Sequence, residues 1–319
     1  MTTSSSNHES PIFSVVERAP LWMMISGTLI GLSLLMIGFS WQKFKAPVRL
    51  GLDFTGGSKI EYKFDKKQAD LTSAALTNEI LPKVNSILAS DAIVQVAEGR
   101  FLILRTKELS LDDKEKLDKL LGEKFGKFEI LSVDTISASI GPELLNSGLL
   151  ALGLVLVGIM LFVSYRFRRD FAICAIVALL HDVIIVVGLF AALGLYAGIE
   201  VNSLFLTACL TVLGFSIHDT IVVFDRIREN IRFVSRKRPF IQIIDESINQ
   251  VWFRSLCTSL TALIVLGCLG VFGGETTKLF AWAMFAGIVT GTYSSIFVAS
   301  TLLGQANLWL EKNRVSAPS

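Results

Sequence analysis

The chain has 319 residues, 52% of them hydrophobic and only 18% charged, with a mean hydropathy of +0.58. A soluble domain carries about a quarter charged residues, so this balance excludes an ordinary cytosolic enzyme and reads as a membrane protein. The 16 basic and 16 acidic residues of 42–143 leave that stretch near neutral, which speaks against a nucleic-acid surface, and four cysteines are too few for a disulfide scaffold.

A membrane-crossing helix needs about 20 mostly apolar residues. After an N-terminal segment, 1–20, the first such run is 21–41, uncharged and carrying the small pair Gly27 and Gly31. It is too long for a signal-peptide core, and no small-x-small cleavage site follows, so it is expected to remain as an anchor.

Residues 42–143 break the apolar pattern, with 16 basic and 16 acidic residues. Ser58 to Phe64 alternates as a strand that turns Ile60, Tyr62 and Phe64 to one side. Leu71 to Leu88 has helical spacing, and Ile93–Ala97 and Phe101–Arg105 flank Glu98-Gly99-Arg100 as a hairpin. Leu111–Phe125 is a second helix with Leu111, Leu117, Leu120 and Leu121 as its stripe, and Phe128–Ile136 a last strand. The order βαββαβ is the ferredoxin-like arrangement, which names no function by itself. Ahead of it stands Gly51-Leu52-Asp53-Phe54-Thr55-Gly56-Gly57. Gly56-Gly57 suits a turn that Asp53 caps. A phosphate loop would need a following Lys-Ser/Thr and a helix, and neither comes next.

Five further runs occupy 144–303: Leu144–Tyr165, led by Pro142; Phe171–Leu195; Asn202–Phe224; Leu256–Phe272; and Leu279–Leu303. Between the fourth and fifth spans, within 226–254, Phe240–Phe253 sets Ile243, Ile244, Ile248, Val251 and Trp252 against Asp245, Glu246 and Asn249. Preceded by Arg236-Lys237-Arg238, it suits a helix lying on a lipid surface. Residues 304–319 form a tail. The chain is therefore expected to be an α-helical polytopic membrane protein with six transmembrane helices and one extracytoplasmic α+β domain between the first and second spans. Basic residues set its orientation: 13 of the 14 outside the insert fall in segments that would lie on one side. Both termini are expected to be cytoplasmic and 42–143 extracytoplasmic. Lys43, Lys45 and Arg49 oppose this locally, but long loops cross regardless of charge.

The chemistry lies in the spans. His181-Asp182 and His218-Asp219 each sit in an apolar helix. A mid-membrane carboxylate costs about 2.5–3.5 kcal/mol on insertion scales, whereas an interhelical polar bond returns about 0.6 kcal/mol. Packing alone is a poor reason to keep such residues, and a transport role is the stronger reading. At 1.5 Å per residue Asp182 lies about 17 Å along its helix, near mid-bilayer, and Asp219 about 9 Å from Asp225 at the inner end. No His, Asp or Glu pair stands at i, i+4 on either helix, so no metal is expected. Arg254, at the start of the fifth span, either snorkels to headgroups or supplies the counter-charge to Asp219; Arg226 competes for that role. Cys174, Cys209, Cys257 and Cys268 read as small packing residues in apolar helices. No catalytic triad, Cys/His pair or phosphate loop is present in the sequence, so an enzyme is not expected.

Three motifs resemble the SecF family of bacterial protein-export subunits: GLDFTGG at 51–57, SIGPEL at 139–144, and GFSIHDTIVVFDRIREN at 214–230. Ser247-Ile248-Asn249-Gln250 and Thr258-Ser259-Leu260-Thr261 also fit, while Trp252-Phe253-Arg254-Ser255 and Cys257 drift from the usual polar choices and keep the arginine. The resemblance implies a proton-coupled subunit in a bacterial inner membrane, with protons as coupling ion and no other cofactor. Asp219 would carry the proton, Arg254 would share the pathway, and His218 and Asp182 would lie near it. Gly51, Asp53, Gly56 and Gly57 would form the family motif of the outer domain. Expected partners are a SecD-like subunit, the Sec translocon channel with its exported polypeptide, and lipid. The alternative is a stand-alone proton-coupled exporter or lipid transporter of the resistance-nodulation-division type.

Overall fold

The computed structural model describes residues 14–64, 81–88, 92–97, 101–106, 109–137, 139–233 and 238–315. It divides into an insert unit, Leu50–Leu149, and a membrane unit formed by the chain on either side.

In the insert unit a one-turn helix α1 (Leu52–Thr55) leads into β1 (Gly57–Phe64), followed by α2 (Leu81–Leu88), β2 (Ile93–Ala97), β3 (Phe101–Thr106), α3 (Leu111–Phe125) and β4 (Phe128–Ile136). The four strands form one antiparallel sheet in the order β2-β3-β1-β4. Period-2 alternation fixes which face is inward. Ile60, Tyr62 and Phe64 of β1 are buried with Leu102 and Leu104 of β3, and α3 covers them with Leu117, Leu121 and Phe125. Ser110 caps α3 by accepting the Asp113 N–H at 3.1 Å. Leu111 does not join the stripe; it is exposed at the first helical position, six residues before Leu117 opens the buried face. Residues 71–80 of the first expected insert helix and the hairpin tip Glu98-Gly99-Arg100 lie outside the described residues.

The membrane unit contains the helices α4 (Ala19–Phe44), α5 (Ile140–Arg166, from Leu150 onward), α6 (Arg169–Tyr196), α7 (Ser203–Phe233), α8 (Phe240–Phe272) and α9 (Glu275–Tyr293), the last continuing through a π turn, Ser294–Ala299, into α10 (Ser300–Val315). Among the described residues, six helical runs are long and apolar enough to cross a membrane, α9 to α10 counting as one. The chain is a multi-pass membrane protein.

Two expectations about packing change. Gly27 and Gly31 face open space, and the seam of α4 is instead Ser26, Ser33 and Ser40, buried one heptad apart. Ser33 meets α6 at Gly188, where an added Cβ would lie 2.3 Å from the serine Cβ. Gly188 has no Cβ to hold Ser33 away, a small-residue contact of the kind that lets membrane helices approach closely. The amphipathic stretch before the fifth span is not a separate surface helix either. It runs without a break into the span as α8, and Asp245, expected on its polar face, is buried. Its Oδ1 accepts the backbone N–H of Val15 and of Val16, both at 2.9 Å, which fixes the segment before α4 against α8. The turn after α5 is tied to α7 through Arg166 and Asp225 at 3.3 Å.

Candidate functional site

Helix α7 presents Asp219 toward α8 and α9. Its Oδ2 accepts from Ser259 Oγ of α8 at 3.3 Å and makes a long 3.5 Å contact with Thr292 Oγ1 of α9. Thr292 also donates to Ser259 Oγ at 2.6 Å, so the two hydroxyls join α8 to α9 beside the carboxylate. Ser255, one turn before Ser259, brings a third hydroxyl to the same carboxylate without a hydrogen bond of normal geometry. Hydroxyls either donate to a carboxylate or accept from a carboxylic acid. The surroundings of Asp219 therefore suit both protonation states with the same partners. A cavity of about 450 Å³ opens on it, lined by Thr211, Ser216, His218, Thr258, Ser259 and Thr292.

Helices can bring Asp219 so close to α9 because α9 carries small residues at the crossing. Gly287 and Gly291 stand four residues apart; a Cβ on Gly287 would lie 2.1 Å from Val212 Cγ2, and one on Gly291 2.9 Å from Ser216 Cβ. This is the small-xxx-small spacing of closely packed membrane helices.

A second polar cluster lies on the other side of Ser216. Asp182 of α6 is fully buried; its Oδ1 lies 2.9 Å from His181 Nδ1, and its Oδ2 accepts from Ser216 Oγ at 2.5 Å and Ser294 Oγ at 2.7 Å. Among the described residues no lysine or arginine pairs with it. His181 Nε2 is buried with no hydrogen-bond partner among the described residues, and its ring centroid lies 6.3 Å from that of Tyr293. Ser294 and Ser295 begin the π turn, whose wider winding moves their hydroxyls inward: Ser295 reaches Thr220 Oγ1 at 2.8 Å and the Ser216 carbonyl at 3.2 Å. Such turns recur at functional sites in helical proteins.

The expected site residues separate. Asp219 and Asp182 lie on either side of Ser216, which lines the cavity and donates to Asp182. The His218 side chain is 69% exposed, 3.9 Å from Asp219 Oδ1, too long for a hydrogen bond. Arg254 is exposed, and among the described residues its side chain does not bond to Asp219. Arg226 is committed elsewhere, to Gln250 at 2.5 Å and Glu229 at 2.7 Å. Gln250 and Ser247 also take Asn230, so the SINQ segment closes on the end of the fourth-span motif. Ser216 and Ser259 fall inside stretches quoted for the family resemblance without being named as site residues, and Thr292 and Ser294 fall outside them.

In the insert unit, Gly51 rather than Asp53 occupies the N-cap of α1, and Asp53 lies in its first turn. Gly56 and Gly57 adopt φ of 68° and 111°, conformations that glycine alone adopts without strain. Gly141 packs on this loop: a Cβ there would lie 2.8 Å from Gly56 N and from Phe54 O. The GLDFTGG and SIGPEL motifs therefore form one structure.

The family model "Protein export membrane protein SecD/SecF, C-terminal" matches residues 116–309, and the "SecD/SecF GG Motif" matches 44–68. The protein translocase subunit SecF of Synechocystis is 38% identical over 91% of this chain and 92% of its own length. The chain belongs to the SecF family. The Sebaldella termitidis SecF subunit is 40% identical over 85% of this chain and 86% of its own. The crystal structure of SecDF, a translocon-associated membrane protein from Thermus thermophilus, superposes with a TM-score of 0.77 at 30% identity, over 95% of this chain and 39% of the SecDF chain. Membership of this family carries a role in protein export.

Proposed function

We propose that this chain is the subunit that couples a proton gradient to late-stage export of polypeptides, working beside a SecD-like partner at the Sec translocon channel. Asp219 takes up and releases the proton, with Asp182, His218 and Arg254 along the same pathway and no other cofactor. The observation that carries this reading is a carboxylate sunk among Ser259, Thr292 and Ser255 and facing a cavity, a setting that serves its charged and neutral forms alike. The exposed Arg254 would reach Asp219 only after a change of side-chain or helix position, which suits a residue used in part of a cycle. Family relatives that fuse both subunits support the partner: the Brucella abortus SecDF is 35% identical over 81% of this chain, a match covering 33% of the fused protein. In this reading the sheet-bearing insert is a ferredoxin-like domain on the outer face of a bacterial inner membrane, both termini are cytoplasmic, and the outward apolar faces meet lipid.

The test is Asp219→Asn, which keeps size and hydrogen bonding and removes titration. Export of a slow-moving precursor is measured with and without a proton gradient, at equal amounts of protein in the membrane. The variant should lose the stimulation by the gradient. A full response would mean that Asp219 carries no proton.

A further inference from the structure

The strap from Lys45 to Arg49 is the irregular stretch between the end of α4 and the first residue of the insert unit. A free strap of five residues would swivel, and nothing that happened among the helices would be passed along it. This one is fixed. Ala46 and Val48 are buried, and the Ala46 carbonyl accepts from buried Ser40 at 3.1 Å. At Arg49 the backbone carbonyl accepts the Val201 N–H at 2.9 Å, and the guanidinium Nη2 lies 2.9 Å from Glu200 Oε1. The pair is mostly withdrawn from solvent, at 24% and 13% exposure. Arg49 also lies over the Phe44 ring, 5.7 Å from its centroid. Glycines make the room: a Cβ on Gly194 would come within 3.1 Å of Arg49 Cβ, and one on Gly198, at φ 69°, within 3.3 Å of Arg49 Nη1.

What Arg49 is fastened to matters more than how firmly. Glu200 and Val201 belong to the short connection between α6 and α7, the two helices that carry Asp182 and Asp219. All these partners lie within the membrane unit, and the chain leaves that unit at the next residue. A shift of α6 against α7 moves their connection, and the clamp makes the last residue before the insert move with it.

We propose that Arg49 and Glu200 are a coupling clamp: a positioning pair that carries rearrangement of the carboxylate-bearing helices to the root of the insert. The proposal rests on the proton-coupled reading above and adds a mechanical route to it. Neither residue touches a proton or the exported chain.

The experiment uses the full chain with its partner in native membranes, and compares Arg49→Glu, Glu200→Arg and the double swap, with Asp219→Asn alongside. Export of the slow-moving precursor is read as two components, one driven by the gradient and one independent of it, at matched membrane levels. Each single reversal should lower the gradient-driven component roughly five-fold or more, the lower end of coupling between distinct sites. The independent component should stay, and the double swap should restore the driven one. A pair that only held the fold together would lower both components equally. Retention of the driven component in both single variants, or a double swap as poor as the singles, would overturn the clamp. If Asp219→Asn keeps the gradient response, the proton reading fails and takes the clamp with it. If Asp219→Asn loses the response while Arg49→Glu keeps it, the clamp alone fails.

Discussion

Gly287→Ala adds one methyl group where α9 crosses α7. Its Cβ would stand 2.1 Å from Val212 Cγ2, 2.7 Å from Cγ1 and 2.9 Å from Cβ. Val212 is buried and β-branched, so it has no other rotamer to retreat into. To restore a carbon–carbon contact of about 3.5 Å, α9 and α7 must part by about 1.4 Å. Overpacking of this kind costs about 1–3 kcal/mol, and about 2–4 °C of Tm accompany each kcal/mol in a chain of 150–250 residues. The apparent Tm of the purified protein, at one scan rate in one detergent, should therefore fall by about 4–8 °C for a cost near 2 kcal/mol. The displacement also lengthens the Thr292–Ser259 bond, so gradient-driven export should fall with it. Adding Val212→Ala removes the two colliding methyls, and the double variant should recover most of the loss, a non-additivity expected of residues in contact. A Tm within about 1 °C of the parent, or a second substitution that only adds its own destabilisation, would show that the helices do not meet as described.

Four other substitutions test other parts of the fold. Tyr62 is buried and donates to Asp118 Oδ1 at 2.8 Å, and burial together with that carboxylate pushes its phenol well above the usual tyrosine range. The folded chain keeps this proton where the unfolded chain releases it, so stability is full below pH about 10 and falls as pH rises above it. Tyr62→Phe should flatten that alkaline fall in thermal unfolding, at a cost of about 1 kcal/mol at neutral pH; an unchanged slope refutes the assignment. Asp245→Ala strips the acceptor from two backbone N–H groups, and hydrogen exchange at Val15 and Val16 should accelerate by the equivalent of about 1–3 kcal/mol. Gly56→Ala and Gly141→Ala should each weaken the insert by about 1–3 kcal/mol, the first through backbone strain and the second through a collision with backbone that has no room to yield. Limited proteolysis of the insert in the intact chain reads both, and wild-type resistance in either counts against the shared loop.

The parts legible in sequence are those set by a local period. Strands β1, β2, β3 and β4 and helix α3 match their expected ranges to within a residue, and the six apolar runs become helices that overrun them at one end or both. The site was legible only in its charged members. Ser216, Ser259, Thr292 and Ser294 are ordinary as letters, because a hydroxyl in a helix can always bond its own preceding turn, as Thr292 does to Ile288 and Ser294 to Gly291. Only the crossings of α7, α8 and α9 turn them into partners of a carboxylate. The π turn has no period of its own to detect. Asp245 misled for the opposite reason: amphipathic spacing was read as a face toward water, but the face turned out to meet another part of the same chain.

Burial along the spans bears on where the site is completed. The most apolar windows of α6, α7 and α9–α10 are 50%, 50% and 61% buried, whereas those of α4, α5 and α8 reach only 11%, 6% and 22%. Outward leucines need no explanation in a bilayer, but His218 does. An imidazole directed outward from mid-span is expensive against hydrocarbon, and polar groups at that depth turn to protein or to water. Thr211 and Thr258 line the same cavity beside His218, among mostly apolar walls. Six helices leave this cavity open. In the proposed assembly a second bundle of similar build, from the SecD-like partner, would lie against it and complete around Asp219 what one chain supplies by half.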